Sequence, residues 1–487
     1  ADRVYDACVT ENRAAQSAAE KRDDRIDTVL THPFFGLIAF TAIMTGLFFT
    51  IFSLASVPMD IIELMFGSLG GWLGSVLPEG AFRDLMVDGI VGGLAGTLVF
   101  LPQICLLFFL ISLLEDTGYL ARAAFVLDRL MRRFGLPGHS FVPLLSAHAC
   151  AIPAIMSTRL ISDRRERLAT VLIAPFMSCS ARLPVYVLLV GILFPDDPLL
   201  AGIAFSGCYV LGAVVGLLTA IVTRRTILKG RSPAMVIELP TYKLPSLRNA
   251  VLVTFERAWL FLRKAGTVIL GICIVLWWLS AYPKPQVDDQ VEALQARAVQ
   301  VEADRPELAE TLRRDAAILA QAEEVAAGVE GLSHGDDDEF DGVEAEGAEI
   351  SQAGELALAR EEVRGSFAGY LGRAVEPVFA PLGIDWQLSV GVVTSFAARE
   401  VFVSTLAIVF AGTDEAESDE VLDRIRNGRR DDGTPVFTMP VAAAMLVFFV
   451  LAMQCLPTVA VTAREAGGWK WGALQLGYMT VVAYVFA

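Results

Sequence analysis

Two cysteines within apolar stretches have matching surroundings and are the clearest candidates for chemistry in this sequence. Cys150 is followed three residues later by Pro153, and Cys455 is followed two residues later by Pro457. A cysteine thiolate can bind a first-row metal ion, and a proline prevents a helix from continuing unbroken. The pattern therefore predicts two helix breaks within a membrane, each presenting a thiol.

A second motif repeats upstream of each cysteine. Ala-Arg-x-x-Phe-Val occurs at residues 121–126 and again at 398–403, and an arginine follows each cysteine nine residues later, at Arg159 and Arg464. The order of these parts is the same in both halves. Broken helices at matching positions of two halves are typical of transporters built from repeats. We therefore predict two gate-like repeats, each containing one of the cysteines.

The chain is apolar enough to cross a membrane several times. Its 487 residues are 54% hydrophobic, and the mean hydropathy is +0.54. A crossing helix needs about 20 apolar residues. Such runs lie at 34–57, 89–114, 168–194, 199–222, 265–282, 386–411 and 437–461, with a shorter one at 471–487. We expect an all-α fold, a polytopic membrane helix bundle whose two gate-like repeats contain broken or re-entrant helices.

The positions of the basic residues predict the orientation, because short loops rich in Lys and Arg stay in the cytoplasm. Arginines cluster at 129–133 and at 159–167, with one apolar segment, 134–158, between the clusters. If both clusters are cytoplasmic, this segment must enter the membrane and return. The charged residues 1–32 lack the apolar core of a secretory signal. We therefore expect a cytoplasmic N-terminus.

One segment carries the whole net charge of the chain. Residues 286–365 contain 22 Asp or Glu and 6 Arg, which equals the formal charge of −16. We expect a solvated helical insert outside the cell membrane, although its acidity could also concentrate cations at an external mouth. The predicted divisions are a cytoplasmic linker helix at 1–32, a first membrane half at 33–282, the acidic extracytoplasmic insert at 283–376 and a second membrane half at 377–487.

Longer motifs carry a family resemblance. They are Leu114-Glu115-Asp116-Thr-Gly118-Tyr119-Leu-Ala-Arg122, Ala149-Cys150-Ala-Ile-Pro153-Ala-Ile-Met156-Ser-Thr-Arg159 and Pro175-Phe-Met-Ser-Cys179-Ser-Ala-Arg182-Leu-Pro184, followed in the second half by Phe396-Ala-Ala-Arg399-Glu400-Val and Cys455. These motifs closely resemble the membrane domain of the bacterial ferrous iron transporter family FeoB. The resemblance covers nearly all of the chain except the acidic insert. It implies uptake of Fe²⁺ across the bacterial inner membrane.

The resemblance also implies partners. Fe²⁺ would be the transported ion, with no permanently bound cofactor, and a GTP-binding domain would regulate transport. The sequence has no G-x-x-x-x-G-K-[ST] phosphate-binding loop, so we expect GTP to act only through a domain absent from this chain or through a separate GTPase chain. The expected partners are the lipid bilayer, Fe²⁺, that G domain and a small cytoplasmic accessory protein of the same iron system, without nucleic acid. A homo-oligomer is left open.

The candidate metal ligands combine thiols with oxygen and nitrogen donors; they are Cys150, Cys179, Cys455, Glu115, Asp116 and His148. Such a thiol site binds Cu or Zn more tightly than Fe²⁺, so selectivity would come from geometry or metal supply. Cys179 and Arg182 are three residues apart and are expected to share a helix face. Alternatively, Arg182 neutralises an intramembrane acid. His148 could either add an imidazole ligand or bond to backbone carbonyls.

Two other function classes are left open. Broken helices also suit the transport of an organic solute such as a nucleoside, for which Gln103 and Gln454 are the evident amides. A receptor or scaffold could act through the acidic insert, although this would not explain cysteines and arginines repeated at membrane depth. The sequence contains neither H-E-x-x-H nor G-x-S-x-G. We therefore do not expect an enzyme.

Overall fold

The computed structural model describes residues 26–283 and 363–487, with gaps at 33, 79, 196, 230–240, 397–398, 400, 412–418, 431–433 and 454, and four isolated positions between these two stretches. Several predicted features lie outside the described residues. They are residues 1–25 of the linker, nearly all of the acidic insert, Glu400 and Gln454.

The described residues form helices joined by short turns. In chain order the helices are α1 (Phe35–Val76), α2 (Ala81–Asp84), α3 (Gly93–Leu98), α4 (Leu101–Asp116), α5 (Tyr119–Arg133), α6 (Phe141–Ala147), α7 (Ala151–Ser157), α8 (Arg164–Ile173), α9 (Leu183–Leu193), α10 (Pro198–Thr226), α11 (Leu247–Phe261), α12 (Thr267–Ala281), α13 (Phe367–Phe379), α14 (Trp386–Thr394), α15 (Val401–Ala411), α16 (Asp419–Arg426), α17 (Met439–Leu451), α18 (Leu456–Ala466) and α19 (Trp469–Phe486). Extended structure in this part of the chain is limited to an isolated bridge between Arg429 and Pro435. The predicted all-α fold is confirmed.

Five helical segments of the described chain are long and apolar enough to cross a membrane. They are Phe35–Val76, Ala81–Asp116, Arg164–Leu193, Pro198–Thr226 and Met439–Ala466. Large apolar side chains on their surfaces are exposed, such as Phe49 at 73% and Leu64 at 70%. Apolar surface of this extent is unfavourable in water but is suited to lipid. The protein is therefore a multi-pass membrane protein.

The helices depart from the predicted spans in two ways. The first span continues to Val76, which makes α1 42 residues long, or about 63 Å against a hydrocarbon core of about 30 Å. In contrast, the runs 168–194, 386–411 and 437–461 are each interrupted. The run 386–411 is divided into α14, which ends at Thr394, and α15, which begins at Val401. The short final run forms the 18-residue helix α19.

The chain divides into two compact units that are discontinuous in sequence. Unit 1 consists of Ala1–Met65, Leu98–Ala174 and Leu217–Lys264, and unit 2 consists of Phe66–Thr97, Pro175–Gly216 and Ala265–Ala487. Both α1 and α10 contribute residues to each unit. This division is different from a split into two halves at the acidic insert. Cys150 belongs to unit 1, and Cys179 and Cys455 belong to unit 2.

The core of unit 1 packs α1 against the segment that contains Cys150. One face of α1 is buried in a cluster with residues of α4, α5 and α6; the cluster comprises Met44, Leu47, Ile51, Leu107, Tyr119, Ala123, Leu145 and Ala149. The rings of Phe40 and Phe141 meet edge to face, with their centroids 5.0 Å apart. The residue preceding Cys150 is thus part of the apolar core.

In unit 2, the helix α10 approaches the turn after α8 through two glycines spaced one turn apart. A Cβ atom on Gly212 would lie 2.6 Å from the carbonyl oxygen of Phe176, and one on Gly216 would lie 2.9 Å from the terminal methyl carbon of Met177. Small residues at this spacing allow close helix packing in membranes. The absence of side chains at these two positions allows α10 to reach the backbone of the turn.

Candidate functional site

Cys150 and Cys455 occupy the same local position in two different breaks. Each is the residue that precedes a helix, α7 or α18, and each has an extended backbone, with φ of −155° at Cys150 and −156° at Cys455. Both cysteines are partly buried. The predicted helix breaks are therefore confirmed. The first N–H groups of a helix have no partner within it, so each thiol lies at the positive end of a helix.

The segment around Cys150, residues 134–158, is hereafter the first gate element. It consists of a 3₁₀ turn and the helices α6 and α7, each seven residues long. A helix of this length spans about 10 Å, which is too short to cross a membrane. The predicted interruption is present, and the return of the segment to its starting side stays a prediction.

His148 lies in this break and bonds to the backbone. Its Nδ1 is 3.1 Å from the carbonyl oxygen of Leu144, and its ring lies edge-on to Phe48, with the centroids 6.2 Å apart. This contact agrees with the interpretation of His148 as a histidine satisfied by a backbone carbonyl. A metal bond from this ring would have to use Nε2.

Cys179 lies in a third break, between α8 and α9. It has an extended backbone, with φ of −91° and ψ of 167°, and precedes a 3₁₀ turn that ends at Arg182. The prediction that the two residues share a helix face was therefore wrong. Pro175 and Pro184 flank this break in the sequence, and prolines of this kind interrupt the helical hydrogen-bond ladder.

Arg182 satisfies backbone carbonyls of this break. The side chain is fully buried, and it donates hydrogen bonds to the carbonyl oxygens of Pro175 at 2.9 Å, Phe176 at 3.2 Å and Met177 at 3.4 Å. A fourth bond reaches the carbonyl oxygen of Ala452 at 3.3 Å. Buried carbonyls released by a break need donors, and a guanidinium group carries five N–H groups. These bonds favour a structural role over the neutralisation of an intramembrane acid.

Arg399, which lies between α14 and α15, also donates a hydrogen bond to the Ala452 carbonyl oxygen. It is 4% exposed and donates a hydrogen bond from Nη2 to the Ala452 carbonyl oxygen at 3.0 Å. The backbone N–H of Leu456 donates in turn to the carbonyl oxygen of Phe396 at 3.0 Å. Within unit 2, these hydrogen bonds therefore join the breaks that contain Cys179 and Cys455 to Phe396 and Arg399, which lie between α14 and α15.

The arginine of the corresponding motif in unit 1 has different partners. Arg122 is 2% exposed and pairs with Asp27, with Nε 2.6 Å from Oδ1. Its Nη1 donates to the carbonyl oxygen of Gly118 at 2.9 Å. The two copies of the Ala-Arg-x-x-Phe-Val motif therefore provide different contacts, although their sequences match. The role of Asp27 was not predicted, because no local sequence pattern connects it to a partner 95 residues away.

The two acidic candidates lie at the end of α4. Asp116 accepts hydrogen bonds from the N–H of Ser246 and from the side chain of Asn249, both at 3.3 Å, so its negative charge lies at the start of α11, where it is stabilising. The side chain of Glu115 is exposed. Within the described parts of the chain, no three His, Cys, Asp or Glu side chains cluster to hold a metal ion. The candidate ligands are thus not assembled into one multidentate site.

Two known families match parts of this chain. A family described as Gate, nucleoside recognition, matches residues 97–193 and 262–469. The first stretch contains Cys150 and Cys179, and the second contains Cys455. A family described as ferrous iron transport protein B C terminus matches residues 205–257, which lie between these stretches. No solved structure matches the chain significantly.

Several named relatives match nearly the whole chain. The Fe(2+) transporter FeoB of Leptospira interrogans is 37% identical over 94% of this chain and 58% of its own length. A Porphyromonas gingivalis protein described as an Fe(2+) transport protein A/Fe(2+) transporter FeoB fusion is 37% identical over 97% of this chain and 52% of its own length. The chain thus spans a little over half of these two relatives. The FeoB of Helicobacter pylori is 34% identical over 100% of this chain and 68% of its own length. The chain therefore belongs to the FeoB family of Fe(2+) transporters.

Proposed function

We propose that the chain forms the permease part of an Fe²⁺ uptake system in the bacterial inner membrane. The observation that carries this proposal is the equivalent geometry of Cys150 and Cys455, each an extended residue at a break that precedes a helix. The relatives described as Fe(2+) transporters support Fe²⁺ as the cargo. The permease itself carries out no chemical conversion.

In this proposal, the thiols of Cys150, Cys179 and Cys455 are contacts for the transported Fe²⁺. Conduction requires binding that is strong enough to admit the ion and weak enough to release it. Sites with few protein ligands, completed by water, meet this requirement better than a closed cage of thiolates would. Glu115, exposed at the end of α4, attracts the cation towards the path. His148 adds a ligand through Nε2.

We further propose that the N-terminus faces the cytoplasm. Asp27 contacts Arg122, and two candidate spans, Phe35–Val76 and Ala81–Asp116, lie between them in the sequence. An even number of crossings returns the chain to its starting side, so the contact is compatible with two full crossings. Arg122 is followed closely by the arginine cluster at 129–133, which favours the cytoplasmic side.

Regulation is assigned to partners of the permease. The family resemblance implies a GTP-binding domain, which controls opening either from another part of the same protein or from another chain. The description of the Porphyromonas gingivalis relative as a fusion with Fe(2+) transport protein A supports a small accessory protein as a second partner. Opening then proceeds as a shift in population between closed and open gates.

The test is Fe²⁺ flux into proteoliposomes that contain this chain, under anaerobic reducing conditions, with an iron-sensitive dye trapped inside. Cys150→Ser and Cys455→Ser should each reduce flux at least tenfold, on the order expected when a metal ligand or its support is lost. Cys105→Ser is the matched control, because Cys105 lines an apolar groove between α4 and α11. Wild-type flux in the double variant Cys150→Ser/Cys455→Ser would disprove the thiol path.

The nucleoside alternative is tested in the same liposomes. It is favoured by the description of the Gate family as nucleoside recognition. An excess of uridine or adenosine should leave Fe²⁺ flux unchanged if the cargo is the metal ion. Saturable uptake of a radiolabelled nucleoside that Fe²⁺ does not affect would instead assign the chain to organic solute transport.

A further inference from the structure

Three residues from separate parts of unit 1 form a polar cluster beside the first span. Arg122 Nε lies 2.6 Å from Asp27 Oδ1, and Arg122 Nη2 lies 3.2 Å from Asp27 Oδ2. The guanidinium group and the carboxylate therefore form a bidentate pair. The hydroxyl of Tyr242 donates to Asp27 Oδ1 at 2.7 Å. The ring of Tyr242 also lies under the guanidinium group, 3.7 Å from Cζ to the centroid. We call these three residues the anchor cluster.

The geometry of the anchor cluster is that of a strong and specific contact. The Arg122 side chain is 2% exposed and that of Asp27 is 24% exposed. Bidentate pairing between arginine and carboxylate is geometrically specific, and its charge-assisted hydrogen bonds are stronger than neutral ones. Removing one partner of a largely buried pair is strongly destabilising, because the other charge is left without compensation. The cation–π contact with Tyr242 adds to the attraction. The side chain of Asp27 is therefore held in one position relative to α5.

The helix α5 connects the anchor cluster to the first gate element. Arg122 lies in the first turn of α5, and Asp128 lies further along the same helix. The N–H of Gly138, at the start of the gate element, donates to Asp128 Oδ1 at 2.9 Å. A Cβ atom on Gly138 would lie 2.7 Å from the carbonyl oxygen of Ala124, so the two backbones are in close contact. A displacement of α5 must therefore also move the start of this element.

The first span provides a second connection in the same direction. The short helical stretch at 26–30, which contains Asp27, leads directly into α1. Along α1, Phe40 packs on Phe141 and Phe48 packs on His148, two residues before Cys150. Both connections begin at the segment that carries Asp27 and end at the break that contains Cys150.

We propose that the anchor cluster is the point at which the N-terminal segment sets the position of the first gate element. Asp27, Arg122 and Tyr242 act as positioning residues and do not contact the ion. A force applied to the chain before residue 27, by whatever domain or partner holds it, reaches the Cys150 break through α5 and α1. The proposed Fe²⁺ path is needed only for the flux readout described below.

The primary test measures how fast a small alkylating reagent modifies Cys150 in the full chain in lipid, with mass spectrometry of the Cys150 peptide as the readout. Asp27→Asn keeps the shape of the side chain but removes its charge, and it should change the alkylation rate by at least about fivefold, the lower end of usual coupling between sites. Tyr242→Phe removes only the hydrogen bond and should give a smaller change in the same direction. Asp27→Glu retains the charge and should restore most of the wild-type rate.

The matched control is Arg133→Gln, at a residue of the same helix that has no part in either connection. The side chain of Arg133 is exposed, so its replacement has little effect on stability. This variant should leave the alkylation rate unchanged. A double-mutant cycle of Asp27→Asn with Arg122→Gln should be non-additive, because the second change removes a contact that is already broken.

The outcomes separate this proposal from the proposed function. If Asp27→Asn and Tyr242→Phe both leave Cys150 alkylation at the wild-type rate, or if Arg133→Gln changes it as much as they do, the anchor cluster does not position the gate element. If the alkylation rates change as described but the wild type transports no Fe²⁺, the anchor stands and the assigned cargo is wrong. If flux and alkylation change together in the anchor variants alone, both proposals are supported.

Discussion

Arg182 and Arg399 donate hydrogen bonds to the same acceptor, the carbonyl oxygen of Ala452, at 3.3 and 3.0 Å. That carbonyl ends α17 immediately before the break that leads to Cys455. Two positive groups therefore converge on the negative end of a helix, which is a favourable arrangement. The contact makes the backbone around Cys455 dependent on residues from two other breaks.

Replacing Arg182 should destabilise unit 2. Arg182→Gln leaves several buried carbonyls without a donor, and each such group costs about 1–3 kcal/mol. We expect the free energy of unfolding to fall by at least about 3 kcal/mol, measured as a large drop in the thermal unfolding midpoint in detergent. The matched control is Arg464→Gln, because Arg464 is exposed at the end of α18. A midpoint for Arg182→Gln equal to that of the control would disprove the structural role.

Replacing Cys179 tests whether the third thiol belongs to the ion path. Cys179→Ser should lower Fe²⁺ flux about tenfold, as loss of a metal ligand or its support does, and it should leave the thermal unfolding midpoint unchanged. The matched control is Cys208→Ser, because Cys208 is a buried thiol in α10, outside the breaks, and is 5% exposed. Equal flux in the two variants would remove Cys179 from the path.

Two of the four glycines of α10, Gly207 and Gly212, should respond in opposite ways to replacement by alanine. A Cβ atom on Gly212 would lie 2.6 Å from the Phe176 carbonyl oxygen, whereas one on Gly207 would have no atom within 4 Å. Gly212→Ala should therefore destabilise the protein by about 1–3 kcal/mol through overpacking. Gly207→Ala should stabilise α10 by up to about 1 kcal/mol. Thermal unfolding in detergent measures both, and the same sign of change in both variants would contradict the packing.

The anchor cluster predicts a specific dependence on pH. Burial acts to raise the pKa of Asp27, but the hydrogen bonds from Arg122 and Tyr242 and the charge of Arg122 outweigh it and hold the pKa below the ordinary value of 3.8. A carboxylate with a depressed pKa stabilises the folded state above its unfolded pKa, and this contribution is lost as the pH falls through the folded value.

The difference in stability between the wild type and Asp27→Asn should therefore be constant from pH 8 to about pH 5 and should shrink below about pH 4. Thermal unfolding of both proteins across this series measures it. A difference that already disappears between pH 7 and pH 6 would show that a histidine, not Asp27, controls the contact.

The sequence predicted the helix breaks because their signals are local. A proline follows Cys150 after three residues and Cys455 after two, and proline interrupts a helix whatever the surrounding fold. The structure has a break at each cysteine. The all-α class and the multiple spans followed from the apolar runs in the same way. The family resemblance rested on long motifs around these breaks, and the relatives confirm it.

The partners of the buried arginines could not be predicted, because they depend on contacts distant in sequence. The motif that contains Arg122 reads the same as the motif that contains Arg399, yet the first arginine binds a carboxylate and the second a backbone carbonyl. Backbone acceptors leave no trace in side-chain composition. The prediction that Cys179 and Arg182 share a helix face was wrong for a related reason. The spacing argument assumed an α-helix, whereas Cys179 is extended and a 3₁₀ turn follows it.

The hydrogen bonds of Arg182 become available at different times during synthesis of the chain. Three of its acceptors lie within seven residues of it in the sequence, whereas the fourth, Ala452, is 270 residues further on. During synthesis the ribosome must complete most of the remaining chain before Ala452 emerges, and an unpaired guanidinium group in a bilayer is costly in the meantime. The three local carbonyls are available as soon as this part of the chain is made. Hydrogen bonds to these three carbonyls can therefore satisfy the guanidinium group when it enters the membrane. The bond to the Ala452 carbonyl forms later, after that residue has been inserted.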